Sequence, residues 1–359
     1  MSEDQHKLFA HSAPSGRPHQ SPFRNAPGHS TRQQSTIYAS WLRRGFALNS
    51  DLAIYLNAFR SRLLVPSSPL TLSLMIYPVT PSASKDTRDL SFKPVVNNSP
   101  LRLRPQRIQF YNENGYVMPL TAYTPDEADK NRAYFDDLLA KVQSARSDLD
   151  SYAINGFQSH CAGLYDITMH PIILDHVQDI LGPNFLSWGT HFFCKLAGDP
   201  REVAWHQDAS YWPFTPSRTV TVWLAIDDTD KENSAMKFLP GTHNKGLLKW
   251  RETDSAKAVL GQEIENTESM GEPVYDELKA GQFSLHADML AHGSNRNSSD
   301  RRRCGLTIRY CTPDVRALNP RWTQGAILCR GSDGSGHWTH NGRPPGENVN
   351  AIVQMIGGN

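Results

Sequence analysis

The chain has 359 residues, long enough for one large domain or two ordinary ones and for a sizeable core. Thirty-seven basic residues balance 36 acidic ones, leaving a net charge of +1; no field of one sign is on offer, so nucleic acid is not an expected partner. No apolar run approaches the ~20 residues of a membrane span, and five scattered cysteines without a CxxC pair argue for buried thiols in a reducing compartment.

Residues 1–35 are rich in Ser, Pro, His, Gln and Arg without apolar periodicity and read as a disordered tail. Residues 36–105 hold short apolar pieces broken by Pro66, Pro69, Pro78 and Pro81, and read as an extension with no assigned fold. The Arg- and Ser-rich stretch Thr31–Arg62 is similar to a mitochondrial presequence, and the closing Gly357-Gly358-Asn359 is no peroxisomal address. Cytoplasm is the expected location, mitochondrial targeting the alternative. The ordered domain is expected over 106–330, followed by a C-terminal extension over 331–359.

Within that domain, Thr124-Pro125-Asp126-Glu127 has the form of a capping box with proline at the first helical position, opening a helix to about Ser147. A second helix fits Pro171–Leu181 and stops at Gly182-Pro183. The texture then changes. Thr219–Ile226 is dense in β-branched and aromatic residues, a turn at 231–234 leads to a short strand over Ala235–Leu239, and Gln282–His292 and Cys304–Cys311 read as further strands. Helices first and short strands later predict an α+β fold whose β part is a sandwich or barrel.

Trp205-His206-Gln207-Asp208 contains a His-x-Asp pair. On a strand, residues two apart share a face, so an imidazole and a carboxylate can meet one metal ion. A distant histidine would complete a two-His-one-carboxylate face that leaves coordination positions open. A bare His-x-Asp is common by chance; the second block, His286 to Arg303, makes it informative. There His292 closes one strand and Arg303 opens the next. A guanidinium so placed can grip the far carboxylate of a metal-bound 2-oxo acid, with Ser294 as a further donor. His286 would share a face with His292 if the run were one strand. The three adjacent arginines 301–303 are resolved in favour of Arg303, whose face carries the small Gly305 and Thr307.

The run from His206 to Gly246, with its HQDxxYxPFxPS opening, VWLA strand and LPGTH turn, closely resembles the phytanoyl-CoA dioxygenase family, and AGQFSLH…HGSNRNSSDRR…GLTIRY resembles that family's distal block. The resemblance spans about residues 106–315. It implies a double-stranded β-helix, a jelly-roll or cupin-like core with flanking helices, and Fe(II), 2-oxoglutarate and O2 as cofactor and cosubstrates. Carried over residue by residue, His206, Asp208 and His292 are the metal ligands and Arg303 the cosubstrate arginine. Trp223 and Ser294 line the 2-oxoglutarate pocket, with His191 and Lys195 beside them. The implied activity is hydroxylation of a small organic metabolite, with succinate and CO2 as coproducts and Tyr211, Trp212 and Arg309 as substrate contacts. In related halogenases a small residue replaces the carboxylate; Asp208 is intact, which favours oxygen insertion. A catalytically silent sensing barrel is one alternative reading, and an oxidative cyclase, epimerase or desaturase is another. The oligomeric state is left open.

Overall fold

The computed structural model describes residues 86–357, apart from 255 and 256. The described residues belong to one compact unit; the tail over 1–35 and most of the extension over 36–105 lie outside them.

Two antiparallel sheets carry the fold. The larger runs β1 (Tyr116–Thr121), β10 (Gln282–Ala287), β5 (Thr219–Ala225), β12 (Arg303–Cys311), β2 (Phe185–Lys195) and β14 (Ile327–Arg330) in that order. The smaller runs β3 (Val203–His206), β11 (His292–Ser294), β6 (Met236–Phe238) and β9 (Val274–Tyr275). Two ribbons complete the set, β4 (Phe214–Thr215) with β13 (Arg316–Ala317) and β7 (Trp250–Glu252) with β8 (Gln262–Ile264). This is the double-stranded β-helix, a jelly-roll with flanking helices.

Strand alternation splits the larger sheet into two faces with different tasks. Val220, Val222 and Leu224 of β5, Leu306, Ile308 and Tyr310 of β12, and Phe283 and Leu285 of β10 join the main hydrophobic core. Helices α1 (Pro105–Asn114), α2 (Pro125–Ala145), α3 (Ala162–Thr168) and α4 (Pro171–Leu181) supply apolar residues to that same core. Burying each such side chain stabilises by roughly 1.5–3 kcal/mol, so helix placement follows from this face. The intervening residues, Trp223, His286, Arg303, Thr307 and Arg309 among them, turn into the barrel.

Both helices read from the sequence are present. Thr124 Oγ1 accepts from the Glu127 N–H while the Glu127 carboxylate accepts from the Thr124 N–H at 2.8 Å, closing the capping box at the head of α2. Ile173, Val177 and Ile180 form the buried stripe of α4, and Gly182 at φ 87° ends it.

Two expectations are corrected. Gln282–His292 is not one strand: β10 ends at Ala287, the chain crosses at 288–291, and His292 opens β11 in the other sheet. His-x-Asp does not sit on one strand either, since His206 ends β3 and Asp208 begins the short helix α5 (Asp208–Tyr211).

The described part of the unplaced extension is also built into this unit. The buried carboxylate of Asp179 accepts from the backbone N–H groups of Leu101 (2.6 Å), Arg102 (2.8 Å) and Leu103 (2.7 Å), while Phe92 and Val95 pack on the main core. At the other end Trp338 is buried among Trp188, Trp212 and Phe214. The last helix, α6 (Val349–Gly357), places Ile352 in the main core. Asp179→Ala removes the acceptor of three amide donors, of which that of Leu103 is buried, and we expect it to cost about 1–3 kcal/mol in urea unfolding and to open residues 86–104 to limited proteolysis.

Candidate active site

The barrel holds a cavity of about 280 Å³ whose lining includes His206, Asp208 and His292. His206 and His292 are partners across the β3–β11 ladder. Gly293 is what allows this approach, because a Cβ there would stand 2.7 Å from the Val203 carbonyl oxygen. Each imidazole is fixed by its own strand: His206 Nδ1 donates to the Ala204 carbonyl at 2.8 Å and His292 Nδ1 to the Leu290 carbonyl at 2.9 Å. That tautomer leaves both Nε2 lone pairs aimed at the same point.

Asp208 Oδ1 lies 3.8 Å from His206 Nε2 and 3.9 Å from His292 Nε2, and the three donor atoms all fall within 4.8 Å of one another. Two neutral imidazoles and a carboxylate at this spacing can close on one divalent ion with small side-chain rotations, and their chemistry is that of a facial iron(II) triad. Burial works against the charged form of Asp208. The close approach of His286 and His292 and the charge of Arg309 outweigh it, holding the carboxyl well below the usual carboxylate range. Burial likewise keeps His292 neutral.

The turn bearing Asp208 is braced from three sides. Thr221 Oγ1 donates to Asp208 Oδ2 at 3.0 Å. Gln207, between the two ligand positions, donates to the Gly246 and Met289 carbonyls and accepts from the Leu248 N–H. Arg88 donates to the Ala209 carbonyl at 2.7 Å and to that of Trp212. His286 stands with Nε2 3.7 Å from Asp208 Oδ2, and neither of its ring nitrogens has a hydrogen-bond partner. It is a neighbour of the triad reached from the other sheet.

Arg303 is buried at the first position of β12. Its guanidinium donates to the carbonyls of Ser234 (3.0 Å) and Phe193 (3.2 Å) and to Ser294 Oγ (3.1 Å). It makes no ion pair among the described residues, and an anion entering the cavity meets a charge with capacity to spare. Trp223 forms the wall, its ring 5.7 Å from the Arg303 guanidinium. Gly305 makes room for that indole: a Cβ there would lie 2.0 Å from Trp223 Cζ2. His191 lines the same cavity; burial holds its pKa down to about 3, and the ring is tied to the Tyr152 carbonyl at 2.9 Å.

Lys195 does not reach the cavity. Its Nζ is spent on the backbone carbonyls of Ser294 and Asn295, and burial beside Arg303 brings its pKa down to about 6. It ties the strand after His292 to β2. Tyr211, Trp212 and Arg309 all line the cavity. Sequence reasoning missed Trp188, Asn155 and the β7–β8 ribbon with the loop before Gln262, which form much of the mouth. A tryptophan in a strand and a loop of ordinary composition carry no signal of a pocket. Asp276 was missed as well: it is buried, Ser284 donates to Oδ2 at 2.7 Å, Oδ1 has no partner, and burial pushes its pKa up to about 7.

A jelly-roll with this donor set at one mouth and an unpaired buried arginine above it defines the class: a non-haem iron, 2-oxoglutarate-dependent oxygenase. The chain belongs to the phytanoyl-CoA dioxygenase (PhyH) family, whose model matches residues 111–305. It is 24% identical over 287 residues to peroxisomal phytanoyl-CoA dioxygenase of Rattus norvegicus, covering 73% of this chain and 84% of that one. It is 30% identical over 147 residues to a probable alpha-ketoglutarate-dependent hypophosphite dioxygenase of Stutzerimonas stutzeri, covering 40% and 51%. Among solved structures it is similar to the apo form of the non-heme monooxygenase ThoJ, with a TM-score of 0.59, 30% identity and coverage of 68% and 91%. The fold is shared with EctD from S. alaskensis, at a TM-score of 0.55 and 18% identity over 67% and 88%. The enzyme's cofactor is iron(II) and its cosubstrates are 2-oxoglutarate and O2. Among the described residues no helix is long and apolar enough to cross a membrane.

Two outcomes follow from the site's packing. Gly305→Ala drives the Trp223 indole into the cavity, and we expect a loss of about 1–3 kcal/mol in urea unfolding with a shifted tryptophan emission. Asp276 has a folded pKa raised above its unfolded value. Its contribution is therefore fully present below about pH 4 and is lost as pH rises to about 7. Asp276→Asn should flatten that decline, on the order of 4 kcal/mol, in unfolding curves collected from pH 4 to 8.

Proposed function

We propose that the enzyme hydroxylates a small organic molecule, with His206, Asp208 and His292 holding the iron and Arg303 holding 2-oxoglutarate. The observation that carries this reading is the convergence of the three donors in the cavity that the Arg303 guanidinium, without an ion pair, also lines. Bound iron supplies the positions at which O2 is activated while 2-oxoglutarate is oxidised to succinate and CO2, one oxygen atom passing to the substrate carbon.

The chain's own residues set the geometry of that exchange. Ala204 and Leu290 carbonyls keep the Nδ1 protons in place, so both imidazoles bind through Nε2 and take no part in proton transfer. Arg303 and Ser294 present paired donors to the distant carboxylate of 2-oxoglutarate, which fixes the orientation of its 2-oxo acid end. Trp223, over Gly305, excludes water from that half of the cavity. Asp208 fills the position that a halide would need, which supports hydroxylation over halogenation. A volume of about 280 Å³ suits a small substrate and lies near the lower end of ligand pockets.

The test is spectroscopic. Anaerobic addition of Fe(II) and 2-oxoglutarate to the full chain should give a weak visible charge-transfer band that His206→Ala abolishes. Arg303→Gln should keep iron binding and weaken 2-oxoglutarate at least tenfold. A parent protein that gives no band, and releases no succinate with any member of a metabolite library, would falsify the assignment.

A further inference from the structure

Of the two buried arginines among the described residues, Arg303 is met by two carbonyls and a hydroxyl, whereas Arg309 is met by none. Its side chain is nine-tenths buried, at 7% exposure, and its Nε has no hydrogen-bond partner. It makes no ion pair among the described residues. What surrounds the guanidinium is aromatic: the Trp188 ring at 5.6 Å and the Trp212 ring at 5.5 Å. Opposite Arg309 on β2 stands Gly189, which brings no side chain to the guanidinium. Two π faces compensate a buried cation only in part. A second donor belongs to the same wall, because Trp188 Nε1 is buried without an acceptor.

Arg309 faces the cavity, where its charge acts on Asp208 of the triad without forming an ion pair with it. Along β12 it is six residues from Arg303, roughly 20 Å between Cα atoms, so one five-carbon diacid held at Arg303 and at the triad does not also serve Arg309. We infer that the substrate carries an oxyanion, a carboxylate or a phosphonate-type group, seated on the Arg309 guanidinium between Trp188 and Trp212 with its carbon skeleton extending toward the triad. A forked guanidinium suits either anion through paired hydrogen bonds. This rests on the iron and 2-oxoglutarate reading above and adds to it the chemical class of the substrate.

The test uses the full chain with Fe(II) and saturating 2-oxoglutarate, without O2, titrated calorimetrically with hexanoate, hexylphosphonate and neutral hexanamide. At least one anion should bind tenfold or more tightly than the amide, and comparing the two anions separates a planar from a tetrahedral group. Arg309→Gln should erase the preference while still giving a charge-transfer band and still binding 2-oxoglutarate. Arg309→Lys, which keeps the charge and loses the fork, should retain part of the preference and guards against misreading an unfolded variant. The inference is overturned if the parent shows no preference, or if the preference survives in Arg309→Gln. It is also overturned if the variant instead loses 2-oxoglutarate, which would assign Arg309 to the cosubstrate. A parent without the band refutes the function reading alone, since the anion preference is measured independently of it.

Discussion

The antiparallel pairing of β3 with β11 is the constraint from which the site follows. It sets His206 directly across from His292, and the missing Cβ of Gly293 brings the two backbones close enough for both imidazoles to address one point. Each ring then takes its tautomer from a carbonyl two residues earlier on its own chain. The carboxylate arrives by another route, on the first residue of a helical turn pinned by Gln207, Thr221 and Arg88. Two of the three candidate donors are therefore fixed by a ladder and the third by side-chain braces, and a change in either support misplaces a donor without removing it.

The larger sheet shows how one strand serves two purposes. On β12 the even positions from Cys304 to Tyr310 hold the helices, and the odd positions carry Arg303, Gly305, Thr307 and Arg309 into the barrel. Successive inward side chains are a charge, a void, a hydroxyl and a second charge. That order places the two guanidiniums at opposite ends of one wall of the cavity.

Much of this was legible in the sequence because the local chemistry is unambiguous. The capping box at Thr124, the apolar stripe and glycine stop of α4, and the β-branched run at Thr219 each carry their own signal. The triad residues were legible as a motif, but the backbone that unites them was not. Residues 288–291, Asp-Met-Leu-Ala, cross between sheets without a glycine or proline, and nothing in that composition announces a break. Residues 86–104 looked unplaced because they have no periodicity; one distant carboxylate, Asp179, supplies the order that the segment lacks by itself. Lys195 shares its strand face with His191, yet its amine is consumed by the chain after His292. Burial and partner choice are three-dimensional facts, and they separate Arg309 from the many arginines that face solvent.

Two cations enclosed in one small chamber also bear on how long the protein lasts. Any molecule that binds only the folded form raises its stability by RT ln(1 + [L]/Kd), and here the bound anion would also lift an electrostatic penalty that the polypeptide otherwise carries alone. A folded enzyme whose anionic ligands bind at Arg303 and Arg309 would therefore resist unfolding and proteolysis in proportion to their supply.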